Sequence, residues 1–386
     1  MTRVAIIHDW LTGMRGGELV LEAITELFTA PELFALVCDE KELSPALQAL
    51  PRHVSWLQKI PGATRRYRNF LPLMPAAIES FDLTGYELVV SSSHCVAKGV
   101  RKPPNAVHVS YVHAPMRYMW DRYEDYFGPD RASDAVRLAA RAFRPYLQRW
   151  DRRVSSELRV DRLIANSQFI AGQMERAYHR KSDVIYPFVD LSRFSAGSVR
   201  RPASHYLMVG AFAPNKRVDL AIEAFNQLKL PLWIVGAGQD ETKLRTMAGP
   251  TVKMLGKISN EEIAKLYASC KAFIFPGIED FGITPLEAMA SGAPVIAFDG
   301  GGAVETVTEK TGIRFQPQTA QALIDAVMKL ERGDVSFSER DCRAQAEKFT
   351  RERFQREFLQ VLRETWASKG REASALENLF SPHSKL

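Results

Sequence analysis

The residues best placed for chemistry are two carboxylates and two cations, all next to strand ends. In the stretch Phe273 to Val295, FIFPGIEDFGITPLEAMASGAPV, a short apolar run ends at Pro276 and the following loop carries Glu279 and Asp280. Pro285 then opens a run of helix formers that Gly292 stops. The order is strand, loop, helix, with Glu287 expected in the first helical turn. Ligands of open parallel sheets bind in the crevice beyond the strand ends. A helix start there offers N–H groups from about Gly282 to Leu286, through Ile283 and Thr284, for a phosphate or sugar oxygens. Acidic acceptors beside an anion-binding backbone suit a sugar joined to a phosphate. Taken singly, Glu279 and Asp280 also suit solvated loop charges, and Glu287 suits a favourable position in the helix dipole.

Upstream, the strand-like run Tyr206–Val209 leads through Gly210-Ala211-Phe212-Ala213-Pro214-Asn215 to Lys216 and Arg217 and a helix from Val218. Two cations at the end of such a loop can clamp a diphosphate, Lys as a point charge and Arg as a planar fork; a plain helix start would use the same pair. His113 stands where the run Val107–Val112 meets its loop, with Pro115 fixing the turn behind it. A crevice-facing ring and an ordinary loop histidine bonded to backbone both fit that place. Gly16 and Gly17 close the loop after the strand Val4–Ile7. Their G-x-x-G-G spacing is not the dinucleotide fingerprint, so close backbone approach to a ligand and simple turn chemistry both remain open.

The elements that must position these groups follow a βαβ rhythm. Strand-like runs recur at Leu33–Val37, Glu87–Ser91, Val107–Val112 and from Leu163, then at Tyr206–Val209, Leu232–Val235, from Lys253 and at Val295–Phe298. A length of 386 residues predicts two domains, and 46% hydrophobic with 25% charged residues describes an ordinary globular chain. No apolar run approaches the roughly 20 residues of a membrane-spanning helix. The first residues lack a signal pattern, so a cytoplasmic location is expected. Cys38, Cys95, Cys270 and Cys342 show no metal-binding spacing, which argues against zinc. A net charge of +6 favours an anionic partner.

Two basic segments, 59–71 and 137–153, alternate arginines with Phe70, Leu71, Leu138, Phe143, Tyr146, Leu147 and Trp150. Such composition suits a helix lying on an anionic bilayer, and equally a solvated basic face over a core contact. No nucleic-acid-binding motif accompanies the arginines, so no nucleic-acid partner is expected.

Together these motifs resemble the signature of glycosyltransferase family 4. The match comprises Glu279 and Glu287 separated by seven positions, Phe281-Gly282, Pro285, Glu287-Ala288-Met289-Ala290, Gly292, Pro294, and Gly300-Gly301-Gly302 with Glu305. The run His113-Ala114-Pro115-Met116-Arg117-Tyr118 and the opening His8 to Gly17 are similar to bacterial mannosyltransferases of O-antigen and exopolysaccharide assembly. The resemblance implies the GT-B arrangement, an α/β fold of two facing Rossmann-like domains with a cleft between them. The expected boundaries are an acceptor-side domain at 1–190, a nucleotide-sugar domain at 191–350, a helix at 351–368 crossing back to the first domain, and a flexible tail at 369–386. The joining linker is placed within 184–202.

The activity so implied is retaining transfer of a hexose, mannose by this resemblance, from a nucleotide sugar, GDP-mannose, to a glycan or lipid-linked oligosaccharide. Glu287 would hold ribose hydroxyls, Glu279 and His113 the transferred sugar, and the backbone of Phe281, Gly282, Ile283 and Thr284 sugar oxygens and phosphate. Lys216 and Arg217 would offset diphosphate charge, Gly16, Gly17 and Gly236 would border the donor, and Leu255 and Ile258 would meet the base. Ala211 departs from the family, which often carries Arg there, leaving Arg217 or Arg15 as second cation. No Asp-x-Asp motif is present, so no metal cofactor is expected. Lipid-carried acceptors favour the bilayer reading of the basic segments, on the inner face of the plasma membrane. A nucleotide-sugar epimerase of the same architecture and a non-catalytic nucleotide-sugar-binding protein are the alternatives.

Overall fold

The computed structural model describes residues 3–129, 131–195 and 205–382. The chain forms two compact units, Met1–Tyr186 together with Phe354–Leu386, and Pro187–Arg353.

In the first unit the strands are β1 (Val4–His8), β2 (Pro31–Ala35), β3 (Arg52–Val54), β4 (Leu88–Ser93), β5 (Val107–Val112), β6 (Arg162–Ala165) and β7 (Asp183–Val184). They form one sheet in the order β3-β2-β1-β4-β5-β6-β7, every pairing parallel. All residues of β1, β4 and β5 are buried, as required of central strands covered on both faces. The order reverses between β1 and β4. His8 pairs with Ser92 at that point, so the loops after these two strands leave the same edge in opposite directions.

Phe354 and Phe358 of the helix Arg351–Ser368 pack on the ring of Tyr111 at 5.5 and 6.4 Å. The tail expected to fray from 369 is ordered through 382. Ala373–Glu377 is helical, Leu376 and Phe380 are each 1% exposed, and Thr29 N–H donates to the Leu379 carbonyl at 2.9 Å. Three apolar residues in a polar stretch suffice to dock it, because burying each removes on the order of 2 kcal/mol of apolar hydration.

The basic segments also differ from expectation. Residues 59–71 do not form one amphipathic helix: Gly62, at φ +74°, precedes the short helix Ala63–Arg66, and a 3-10 stretch Tyr67–Leu73 follows. Tyr67 is buried, and Phe70 and Leu71 pack against the core. The helix Asp134–Val154 does form, but its apolar residues divide between two environments. Leu147 and Trp150 enter the core, whereas Leu138, Phe143 and Tyr146 are 71%, 45% and 49% exposed.

The second unit holds β8 (Tyr206–Val209), β9 (Leu232–Val235), β10 (Val252–Gly256), β11 (Phe273–Phe275), β12 (Val295–Phe298) and β13 (Gly312–Phe315). Their order is β10-β9-β8-β11-β12-β13, again all parallel, and it reverses between β8 and β11. Of the linker stretch, Leu191–Ser195 is a helical turn whose Phe194 stands edge-on to Tyr267 at 5.7 Å, and 196–202 lies outside the described residues. Both parallel α/β units expected from the strand rhythm are therefore present.

Candidate functional site

In the second unit the predicted residues converge at the β8–β11 reversal. The loop after β8 ends in the turn Pro214–Lys216, and the loop after β11 carries Glu279. Lys216 Nζ is ion-paired with Glu279 Oε1, each side chain 18% exposed. The two loops are locked by backbone: Ile278 N–H donates to the Asn215 carbonyl at 3.1 Å, and any side chain at Gly277 would collide with that carbonyl. Arg217 does not share the pair. Its Nε bonds Asp219 at 3.1 Å and its Nη1 bonds Gln318 at 3.3 Å.

Gly282, at φ +86°, caps the helix Ile283–Ala290 without a side-chain cap. The first-turn N–H groups of Ile283 and Thr284 accordingly lack a capping side chain, and Thr284 Oγ1 is buried without a hydrogen-bond partner. The helix begins two residues before Pro285, which moves Glu287 into the second turn. The helix-dipole argument for Glu287 is thereby corrected: its environment is set by side chains. Tyr267 Oη donates to Glu287 Oε2 at 2.9 Å, and Tyr267 is fully buried. Burial pushes the Glu287 carboxyl above its usual range, against the pull of the Tyr267 hydrogen bond and of Arg193.

Glycines bring the surrounding backbone close. Gly302 N–H donates to the Glu279 carbonyl at 2.9 Å, and a Cβ on Gly302 would run into the Phe281 backbone. Strands β8, β9 and β10 lead into or end at Gly210, Gly236 and Gly256, where Gly236 N–H donates to the Gly256 carbonyl at 2.9 Å. Leu255, the last residue of β10 before Gly256, is 37% exposed, and Ile258 beyond it is half-buried.

In the first unit His113 follows β5, and its Nε2 lies 2.8 Å from Ser92 Oγ. The same hydroxyl is 3.2 Å from His8 Nδ1, so Ser92 bridges the two rings. A Cβ on Gly17 would lie 3.8 Å from His113 Cε1. Gly16 and Gly17 are therefore beside this cluster, as first residues of the helix Gly16–Thr25 rather than as loop. His94 completes the group, 5.4 Å from the His8 ring and 6.0 Å from the His113 ring. Burial holds both His94 and His113 well below the usual imidazole range, and neighbouring histidines and Arg117 add to the effect. These rings are neutral at physiological pH and act as hydrogen-bond partners, not cations.

Asp9, fully buried, organises the turn behind them. Its Oδ2 accepts from the N–H groups of His94 and Cys95 at 2.7 and 3.0 Å, and its Oδ1 from Val96 and Ala97 at 2.5 and 2.8 Å. His94 Nδ1 lies 3.4 Å from the same carboxylate. A second buried group holds the turn from the far side: Lys98 Nζ pairs with Asp151 at 2.6 Å and donates to the Cys95 carbonyl at 3.0 Å. Trp120 and Tyr178 donate to the other Asp151 oxygen at 2.8 and 3.0 Å.

The structure thus brings together Lys216, Glu279, Gly282, Ile283 and Thr284 in one unit, and His113 with Gly17 in the other. Sequence reasoning missed Asp9, Ser92, His94 and Tyr267. Asp9 and Ser92 lie at the ends of the first sheet's two switch strands, which is the signal that could have found them; Tyr267 carries none, because only tertiary packing sets its phenol against Glu287.

Two family models match this chain, Glycosyltransferase Family 4 over residues 31–193 and Glycosyl transferases group 1 over residues 200–349. The chain belongs to the family 4 glycosyltransferases. Among similar proteins, a GDP-mannose-dependent alpha-mannosyltransferase of Mycolicibacterium smegmatis is 44% identical over 108 residues, 27% of this chain and 28% of that protein. A GDP-mannose-dependent monoacylated alpha-(1-6)-phosphatidylinositol monomannoside mannosyltransferase of Corynebacterium glutamicum is 28% identical over 209 residues, 46% of this chain and 54% of that one. The chain therefore matches between about a quarter and half of the length of these curated relatives. Among solved structures, sucrose-phosphate synthase from Thermosynechococcus elongatus superimposes with a TM-score of 0.71 at 19% identity, covering 95% of this chain and 100% of that one. That likeness supports the fold. No helix among the described residues of this glycosyltransferase is long and apolar enough to cross a membrane.

Proposed function

We propose that this family 4 glycosyltransferase moves mannose from GDP-mannose to a glycan or lipid-linked oligosaccharide, with retention of anomeric configuration and without a metal ion. The observation that carries the reading is the Lys216–Glu279 pair at the β8–β11 reversal, beside a helix start with uncapped N–H groups. A nucleoside diphosphate sugar presents matching groups: phosphate oxygens for Lys216 and the N–H groups of Ile283 and Thr284, and sugar hydroxyls for Glu279. Ribose hydroxyls are assigned to Glu287, whose cost of ionisation on burial the Tyr267 bond offsets only in part. Gly236, Leu255 and Ile258 are assigned to the nucleoside, and Phe281 and Gly282 to the sugar edge. Arg217 keeps a lesser part, since Asp219 already neutralises it.

In the transfer step the acceptor hydroxyl attacks the anomeric carbon on the face from which GDP departs. The bond from that carbon to the β-phosphate oxygen breaks, the bond to the acceptor oxygen forms, and the acceptor proton passes to the departing phosphate. Lys216 and backbone N–H groups stabilise the charge on that phosphate, the electrostatic contribution that is usually the largest in such reactions. His113, neutral, is assigned a hydrogen bond to a hydroxyl of the transferred sugar. The donor assignment is supported by two relatives that are named as GDP-mannose-dependent mannosyltransferases.

The exposed Leu138, Phe143 and Tyr146, with exposed Arg141 and Arg149 on the same helix, are assigned to an anionic bilayer from which a lipid-linked acceptor is taken. The test of the whole reading is GDP release from GDP-mannose in the presence of lipid-linked oligosaccharide and EDTA, with the new linkage read by NMR. Acceptor-dependent release with an α-linked product is expected. Turnover that EDTA abolishes and magnesium restores would overturn the metal-free account. Isomerised sugar without acceptor would instead reveal an epimerase.

A further inference from the structure

We propose that Ser92 and His8 are positioning residues for His113: a one-way hydrogen-bond chain from His8 through Ser92 fixes the His113 proton on Nδ1, so that the ring meets its substrate as a donor. That His113 meets a sugar rests on the glycosyl-transfer reading. The chain behind it adds the direction of the bond, an N–H given to an acceptor oxygen of the transferred sugar.

The sheet sets the three side chains. β1, β4 and β5 are neighbours in that order, His8 pairs with Ser92, Ser92 pairs with Tyr111, and His113 directly follows Val112 at the end of β5. The His113 backbone N–H donates to the Ser93 carbonyl at 2.8 Å, and the Tyr111 ring stands edge-on to the imidazole at 5.1 Å. Both contacts hold the imidazole against β4. Ser92 Oγ then lies 2.8 Å from His113 Nε2 and 3.2 Å from His8 Nδ1.

The direction follows from where each proton can go. Ser92 and His8 are fully buried, the Ser92 hydroxyl meets the two rings and no other group among the described residues, and His8 Nε2 has no hydrogen-bond partner there. If both rings donated to Ser92, its own hydroxyl proton would be buried without an acceptor. If the chain ran from His113 to His8, His8 would carry its proton on Nε2, a buried N–H with nothing to accept it. The run from His8 to His113 leaves every buried proton bonded: His8 Nδ1–H donates to Ser92, and the Ser92 hydroxyl donates to His113 Nε2. A lone pair on His8 Nε2 is all that goes unused, and an unused acceptor is less rare in protein interiors than an unbonded N–H. Burial keeps His113 uncharged, so with Nε2 accepting, its single proton is on Nδ1. The ring is half-buried and Nδ1 has no hydrogen bond with the described residues, which leaves that N–H for a ligand.

The test is proton–nitrogen correlation NMR of the ring atoms, on the full chain carrying isotope-labelled histidine. The His113 and His8 signals are assigned by their loss in His113→Gln and His8→Gln. Wild type is expected to show both rings protonated on Nδ1 and bare on Nε2. In Ser92→Ala the His113 proton should move toward Nε2; in Ser92→Thr, which keeps the hydroxyl, it should stay on Nδ1. Transfer from GDP-mannose should lose ~10-fold or more in kcat in Ser92→Ala with little change in KM, and Ser92→Thr should recover part of the loss. A wild-type His113 protonated on Nε2, a tautomer unchanged in Ser92→Ala, or a tautomer that moves while kcat does not, each overturns the proposal. Should Ser92→Ala fail to fold, Ser92→Cys, whose thiol is a weak donor, replaces it in both measurements. If wild type shows the stated tautomers but transfers nothing from GDP-mannose, the glycosyl-transfer reading falls while the chain through Ser92 stands.

Discussion

Lys216 and Glu279, 63 positions apart, meet as an ion pair with most of both side chains out of water. Each supplies what the other needs while the site is empty. A ligand that brings phosphate to the lysine and hydroxyls to the carboxylate can replace the pair without leaving either charge unmatched, which is the arrangement preorganised electrostatic catalysis requires.

Lys216→Ala and Glu279→Ala should therefore each lower transfer from GDP-mannose by ~10²-fold or more. Removing both should cost less than the product of the single losses, because each single variant also strands its partner's charge. Single-turnover rates for the two variants and the double variant check this, with circular dichroism showing that the fold is kept. Fully multiplicative losses would mean the two residues act independently.

Asp9→Ala should destabilise the first unit, since four buried N–H groups lose their acceptor at once. A cost of at least about 3 kcal/mol is expected. Urea unfolding measures it. A change below about 1 kcal/mol would show that the 94–97 turn holds without the carboxylate.

Tyr267→Phe removes one hydrogen bond to Glu287 and leaves the ring contacts with Phe194 and Phe273. Stability should fall by about 1 kcal/mol. Glu287 loses a bond that favours its ionised form, so GDP affinity should weaken severalfold and the loss should diminish as pH rises. Calorimetric GDP titration at pH 6.5 and 8 reads both effects.

Acid should weaken the fold through its buried histidines. His108 donates from Nδ1 to the Arg159 carbonyl at 2.9 Å and accepts at Nε2 from Ser91 at 2.9 Å, and burial pushes its pKa down to about 4. Below its ordinary value of 6.5 the unfolded chain takes up a proton that the folded ring refuses. Stability is thus lost as pH falls from 6.5 toward 4, by about 1.4 kcal/mol per pH unit for this histidine, with His94 and His113 contributing in the same direction. His108→Gln should flatten the slope of unfolding free energy against pH over that window; an unchanged slope would contradict the assignment.

Much of this was legible in the sequence because local patterns carried it. The apolar runs gave parallel strands, and Glu279, Lys216 and His113 were placed by their positions just past strand ends. What escaped depended on distant contacts. Nothing local sets Tyr267 against Glu287, or turns Arg217 toward Asp219 and away from Lys216. The tail misled because its composition is polar, whereas Leu376, Leu379 and Phe380 are buried and polar groups such as Arg371, paired with Glu87, tie it to the first unit. The 59–71 segment misled because Gly62 breaks the helical spacing on which its amphipathic reading depended.

The most direct measurement is thermal stabilisation by a panel of nucleotide sugars on wild type and Glu279→Ala. GDP-mannose at ~100 times its dissociation constant should add about 2.7 kcal/mol to wild type and clearly less to the variant, while UDP-sugars at equal concentration add little. A large shift with a UDP-sugar and none with GDP-mannose, or equal shifts in wild type and variant, would contradict the account.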